Sequence, residues 1–291
     1  MPLAGSQKLT EELGCCVARI ECDTPTGVQC GTGFFFAFLL ENGKRSPCLI
    51  TSRHIVNGAR SGRFFVARKD ADGKPLLNEP LECRLTDFED KCHPHPDPFV
   101  DLVLIFVGAS LQALKAEGHD FHVTYLSRSA ILPREQRAAL AHLENVAVLG
   151  YPLGLWDPQQ LQPVARMGIT ATHAGLPYGG ASEFLIDAPC HAGLGGAPVF
   201  LCMPAQAGEG GTLVQRSPGV ALLGVLYAQR HPHLSGETGV EPIVGRLRAG
   251  RPVPPQPLPG SAPLGVVLST DKILDFEPLV RAMIHGYVSK Y

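Results

Sequence analysis

The sequence predicts an all-β protein: two six-stranded antiparallel β-barrels followed by a C-terminal helix. Three observations carry this expectation. Short β-branched or aromatic runs recur in two sets of six, each bounded by Gly, Pro, Asn or Asp. A single connector, 127–144, separates the sets, and its second half is rich in Ala, Leu, Glu and Arg. Glycine (32) and proline (26) make up about a fifth of the 291 residues, against a usual share of roughly 12%. That excess suits a protein made largely of turns between strands.

In chain order, residues 1–13 read as a lead-in. The first barrel spans 14–126, with strands over 14–22 (GCCVARIEC), 30–40 (CGTGFFFAFLL), 46–51 (SPCLIT), 61–68, 80–86 and 100–107 (VDLVLIFV). Phe34, Phe35 and Phe36 are expected to fill its core and rim. The second barrel spans 145–269, with strands over 145–151, 163–172, 182–188, 197–202, 219–228 and 263–269. Two stretches inside it, 203–218 and 229–262, are rich in Gly, Pro and polar residues and read as long surface loops. Arg246, Arg248 and Arg251 in the second loop read as scattered, solvated charge. Residues 270–291 form the terminal helix, with Thr270 as N-cap and Pro278 as a break.

Composition excludes several classes. The net charge is −2 and the isoelectric point about 6.6, so bulk electrostatics favour neither nucleic acid nor an anionic membrane. No apolar run approaches the ~20 residues that span a bilayer. The N-terminal MPLAGSQK lacks the apolar core of a secretory signal. The nine cysteines are odd in number, and several sit in apolar runs, which suits buried free thiols. A soluble, cytoplasmic protein is the expectation. Cys92-His93-Pro94-His95 is the one metal-like cluster, and it lacks a second ligand pair at zinc spacing. No metal and no cofactor is expected.

Chemistry concentrates at three places. His54 stands in LITSRHIVNGA, after an apolar strand and a Thr-Ser corner; Asp101 opens the buried run DLVLIFV; GLGGAPVF occupies 193–200. An imidazole can take a proton from a nucleophile while a carboxylate holds its tautomer and stabilises the imidazolium. Glycines around a nucleophile let backbone N–H groups face a developing oxyanion. The order His, Asp, nucleophile is that of the chymotrypsin-type triad. Asp97 competes with Asp101, but Pro96 and Pro98 place it in a loop.

GTGFFFAF (31–38), LITSRHIVNGA (49–59), VDLVLIFV (100–107), LGYPLGLWD (149–157), MGITATH (167–173) and FLIDAPCHAGLGGAPVF (184–200) occur in this order. Together they resemble trypsin-like serine peptidases of the chymotrypsin/HtrA clan, within it the bacterial intracellular trypsin-like group. The resemblance runs from about residue 14 to 276. It implies a chymotrypsin-like double barrel, His54 as general base, Asp101 as its orienting partner, and an oxyanion hole from the N–H groups of Gly193 and Gly195. It also implies a primary pocket with Pro189 at its base, Cys190 on the approach and Leu226, Tyr227 and Ala228 as back wall. With no acidic residue at the base, a neutral or small apolar side chain is the expected occupant.

One departure changes the outcome. The family reads G-x-S-G-[G/S/A]-P, and here the nucleophile position is Gly195. Without a hydroxyl or thiol the acyl-enzyme route is closed. In subtilisin, loss of the nucleophile alone costs on the order of 10⁶ in turnover. Two histories yield such a glycine: natural loss, or a single Ser→Gly replacement that disarms an active parent. Two functions follow. One is a serine endopeptidase scaffold acting on protein or peptide substrates, inactive as written and controlled by an activating protein partner. The other is a pseudoprotease that binds peptides or a partner.

Overall fold

The computed structural model describes residues 12–85, 88–157, 161–203, 219–232, 238–243, 245–248, 251–252 and 263–288. The first half supplies β1 (Val17–Thr24), β2 (Gly27–Leu39), β3 (Arg45–Ser52), β4 (Ser61–Lys69), β5 (Pro75–Leu85), β6 (Cys92–Pro94), β7 (Leu102–Phe106) and β8 (Phe121–His122). The second half supplies β9 (Asn145–Gly150), β10 (Val164–Thr170), β11 (Glu183–Asp187), β12 (Ala197–Met203) and β13 (Gly219–Pro232). Then come β14 (Thr238–Pro242), β15 (Gly245–Arg248), β16 (Arg251–Pro252) and β17 (Leu264–Ser269).

All the paired ladders are antiparallel. In the second half the order β12-β9-β10-β11-β17-β13 closes on itself through β12–β13, giving a six-stranded barrel. In the first half the order is β5-β4-β1-β2-β3-β7-β6. Six of these strands wrap one apolar core made of Ala18, Ile20 and Cys22 from β1, Phe35, Leu49, Phe64, Val66, Leu81, Cys83, Val103 and Ile105. Among the described residues no ladder joins β5 to β6, so this half is a wrapped sheet and not a hydrogen-bonded ring. The architecture is a closed six-stranded barrel beside a second sheet wrapped around its own core, with a C-terminal helix, matching the chymotrypsin-like double barrel.

Side-chain alternation along β2 builds two cores at once. Phe35 faces the first barrel's interior. Phe34, Phe36 and Phe38 face the other way and join Ile50, Leu104, Leu149, Phe200, Leu222 and the C-terminal Phe276 and Val280. The aromatic run therefore fills the first barrel and also the layer between barrels. Each such Phe contributes roughly 1.5–3 kcal/mol by leaving water. The barrels are thus fixed to each other by side chains of the strand that also carries Gly31-Thr32-Gly33.

Helical segments differ in detail from expectation. Gly108–Ala116 is a helix that sequence reading passed over; Leu111 and Leu114 anchor it on the first barrel. The connector contains the short helix Arg134–Ala138. The C-terminal region is helical over Asp271–Leu274 and Glu277–Val288, and Pro278 sits in the first turn of the second piece. There its missing N–H leaves no bond unmade. Thr270 precedes the first piece but makes no side-chain cap bond; its hydroxyl accepts from Arg137 Nη1 at 2.8 Å. Among the described residues no helix is long and apolar enough to cross a membrane. The lead-in 1–11 and the loop 204–218 lie outside the described residues.

Candidate active site

His54 and Asp101 are brought together by the β3–β7 ladder. Its last pair is Ser52↔Leu102, so each side chain stands next to that ladder's end. Beyond Ser52 the chain turns into the short helix Arg53–Val56. The N–H of His54 donates to Asp101 Oδ1 at 3.0 Å, and that of Arg53 to the Asp101 carbonyl at 3.2 Å. His54 Nδ1 donates to Asp101 Oδ2. One carboxylate thus fixes both the backbone and the ring of His54, which leaves Nε2 facing the cleft. Asp97 accepts from the N–H of Phe99 and lies near Lys272, away from the imidazole.

The loop before β12 is held by its carbonyls. Thr32 Oγ1 donates to the Gly193 carbonyl at 2.7 Å, and the Thr32 N–H to the Gly195 carbonyl at 3.0 Å. The Gly196 N–H donates to the Leu226 carbonyl at 2.8 Å. Gly193 and Gly196 have φ of +93° and +83°. A Cβ there would stand 2.4 Å from the Tyr151 carbonyl and 2.1 Å from the Thr32 carbonyl. Both positions require glycine for the turn itself. Among the described residues, the N–H groups of Gly193 and Gly195 donate to no backbone carbonyl. Thr32 was missed as a site residue; its only sequence signal is its place in GTG.

Gly195 is different. It is buried and not among the positive-φ glycines. A Cβ here would stand 2.9 Å from His54 Nε2, so position 195 lies directly against the imidazole, closer than a Cβ normally sits. It would also stand 2.3 Å from the carbonyl oxygen of Ile243, closer than real contacts allow. What excludes a side chain at 195 is Ile243, not the turn.

Ile243 belongs to a strap that crosses the cleft. β14 runs antiparallel to β13, with Ala228↔Pro242, Gln229↔Glu241 and Arg230↔Val240 in register. The Ile243 N–H continues this by donating to the Tyr227 carbonyl at 3.1 Å. Two residues on, β15 pairs antiparallel with β2, with Gly245↔Cys30 and Arg246↔Gln29. The stretch 229–262 is therefore not a surface loop throughout. Part of it joins both sheets, and Ile243 is only 3% exposed. The side chains of Arg246, Arg248 and Arg251 lie outside the described residues.

The expected pocket residues sort as follows. Cys190, Leu226 and Ala228 are buried, and Cys190, Leu226 and Ile243 share one apolar cluster with Leu194 and Val267. Pro189 is exposed, so burial at that end comes from Cys190. Gln229 Nε2 donates to the Cys190 carbonyl. Tyr227 is half-buried and its hydroxyl donates to Glu183 at 2.7 Å. Burial pushes the Tyr227 phenol up, and pushes the Cys190 thiol up to about 12. A thiol so shifted stays protonated at neutral pH and is a poor stand-in nucleophile.

The arrangement lacks any acyl-accepting atom at 195. His54 Nε2 instead stands 3.3 Å from the Ile243 carbonyl. Both ring nitrogens face acceptors, and only a doubly protonated ring donates to both. Within the cluster at 92–95, His95 is tied into the fold by hydrogen bonds. His95 Nδ1 accepts from the Asp97 N–H at 3.0 Å, and its Nε2 donates to the Lys272 carbonyl at 3.1 Å. Among the described residues no group of three His, Cys, Asp or Glu side chains could hold a metal ion.

No family model matches the chain, and no curated protein matches it in sequence. Solved structures do. An HtrA-type protease, AlgW, crystallised with a tripeptide, is 14% identical with a TM-score of 0.46 over 96% of this chain and 64% of that one. A serine endoprotease from Yersinia pestis is 12% identical with a TM-score of 0.46, over 97% of this chain and 68% of that one. The MamO protease domain from Magnetospirillum magneticum is 13% identical with a TM-score of 0.41, over 90% of this chain and 96% of that one. Likenesses this distant carry no argument about chemistry, which rests on the site geometry.

Proposed function

We propose that this protein is a trypsin-like peptidase scaffold that holds extended polypeptide in its cleft without hydrolysing it. The observation that carries this reading is Gly195: it lies directly against His54 Nε2 and has no side chain, so the His54–Asp101 pair is assembled with no nucleophile beside it. The remaining parts suit binding. The edges of β13 and β2 already accept added strands, β14 and β15, and once these leave they offer the same backbone groups to an extended chain, which is strand addition. Cys190, Leu226 and Val267 pack around the apolar side chain of Ile243, the kind of residue a ligand would place there. His54, oriented by Asp101, presents Nε2 to the cleft, where it stands 3.3 Å from a backbone carbonyl, that of Ile243. The ligand is a protein or peptide, and no cofactor takes part. All nine cysteines are free thiols, which suits a reducing cytosol.

A second reading has one observation in its favour. His54 and Asp101 retain the geometry of a working base, as an endopeptidase disarmed at one residue would. A fluorophosphonate probe and a peptide library separate the two. The protein as given neither labels nor cleaves under both readings. Under the binding reading Gly195→Ser stays silent even when Gly245→Val is added to free the cleft; labelling and cleavage by the single or the double variant favour the disarmed endopeptidase.

A further inference from the structure

We infer that residues 240–243 and 245–247 act as a built-in pseudo-ligand, and that the ligand they displace is an extended peptide with a branched aliphatic residue followed, two positions later, by glycine. This rests on the reading of the cleft as a peptide-binding site and names its ligand class and its regulation. The strap behaves as a bound peptide would. Val240 to Pro242 lie in antiparallel register with Ala228 to Arg230 on one wall. The Ile243 N–H donates to the Tyr227 carbonyl, its side chain joins the Cys190–Leu226 cluster, and its carbonyl meets His54 Nε2. From Gly245 the chain pairs with Cys30 and Gln29 on the opposite wall. Two short strands, β14 and β15, thus use both edges of the cleft, with the Ile243 carbonyl against His54.

The side chains of the strap match their positions. Ile243, at 3% exposure, and Gly245 are buried, whereas Val240, Glu241 and Pro242 are exposed. At 245 only glycine fits: a Cβ would stand 2.4 Å from Cys30 Sγ, 2.9 Å from the Cys30 carbonyl and 3.1 Å from Gly193 Cα. The cleft therefore selects an apolar branched side chain at one position and no side chain at another. Pro and Gly at neighbouring positions suit an extended, sharply fitted segment. Because the strap is tethered, its effective concentration is of millimolar order, and a free peptide of equal intrinsic affinity competes poorly. Release of the strap, by a partner or by competition, is then the gate to the site.

The test uses the full chain and a fluorescein-labelled peptide of residues 240–247, Val-Glu-Pro-Ile-Val-Gly-Arg-Leu, read by fluorescence anisotropy. Gly245→Val evicts the strap at the β2 end, and Ile243→Asp evicts it at the β13 end. Hydrogen exchange over 238–248 reports release, and retained protection of β9–β12 reports that the barrels are folded. Both variants are expected to bind the peptide at least about 100-fold more tightly than the unaltered chain, in line with lost tethered competition. A control peptide with Asp in place of Ile is expected not to bind. Variants that release the strap, stay folded and still ignore the peptide overturn the inference, as does an unaltered chain that binds it equally well. Binding of unrelated extended peptides alone by the released variants would leave the cleft a peptide site and refute only the pseudo-ligand. Turnover of any peptide by the unaltered chain would instead refute the silent scaffold.

Discussion

Placing any side chain at 195 should loosen the strap, whatever its chemistry. A Cβ at that position would stand 2.3 Å from the Ile243 carbonyl oxygen. Carbon–oxygen contacts settle at about 3.3 Å, so the carbonyl must move by roughly 1 Å. The turn cannot yield, because Gly193 and Gly195 are pinned by Thr32 through their carbonyls and Gly196 by Leu226. The strap is the softer party, held here by the Ile243–Tyr227 bond and the β14 and β15 ladders. Forcing an extra methyl into a packed site costs about 1–3 kcal/mol. If that cost falls on the strap, its opening equilibrium rises about 5–150-fold. Hydrogen exchange read by mass spectrometry over 238–248 measures this directly. Gly195→Ala and Gly195→Ser should raise exchange at Ile243 alike, with the β9–β12 ladders unchanged. Unaltered strap protection in both variants would refute the steric reasoning. A Gly195→Ser variant that labels with fluorophosphonate while its strap stays protected would refute it as well.

Other expectations concern the supports of the site and the buried thiols. Thr32→Val removes the hydroxyl that donates to the Gly193 carbonyl and accepts from the Tyr151 N–H at 3.0 Å. Because it leaves buried partners unpaired, it should cost about 1–3 kcal/mol in urea unfolding. An unchanged midpoint would show the bonds are replaced. Burial pushes the thiols of Cys48, Cys83 and Cys190 from 9.0 up to about 12, and that of Cys30 up to about 11. The folded chain thus keeps protons that the unfolded chain releases above pH 9.0, so this stability is full below pH 9 and falls as pH rises toward 11–12. Calorimetry should find Tm level between pH 7 and 8 and clearly lower at pH 10, and a level Tm throughout would contradict it. For the same reason Cys190 should resist Ellman's reagent in the native chain at pH 8 and react once urea is added; prompt native labelling would count against its burial.

Strand positions were legible because each barrel strand presents alternating side chains to a core, a pattern that survives without tertiary information. Boundaries such as 46–51 against Arg45–Ser52 differ by one residue. His54 and Asp101 were legible through local context and chain order, and the choice of Asp101 over Asp97 is explained by the β3–β7 register. Gly195 was legible as a missing hydroxyl but not as a steric necessity, because the carbonyl that excludes a side chain comes from 48 residues away in a segment that reads as loop. That segment consists of short strands, two to five residues long, whose partners are edges of other strands. Short runs rich in Gly, Pro and Arg carry no period of their own, so long-range pairing decides them. Residues 108–116 of the missed helix are Ala- and Leu-rich, yet they follow a strand run directly, and only packing on the first barrel marks the change.

Gly195 and the strap belong to one arrangement. A serine with the same backbone would place its Cβ inside the contact distance of the Ile243 carbonyl, so a reactive nucleophile and a seated strap exclude each other. Restoring the hydroxyl alone is then insufficient for turnover, since the variant must also expel Val240–Leu247 before a substrate can reach His54. Conversely, with glycine at 195 nothing at that position opposes the strap, and the cleft is self-occupied in the resting state. The double variant carrying Gly195→Ser and Gly245→Val separates the two requirements. If it labels with fluorophosphonate while Gly195→Ser alone does not, the dyad and the loop at 193–196 are competent and the strap is the second lock. If neither labels although exchange shows the strap released, the site has lost more than its nucleophile, and binding is what remains of it.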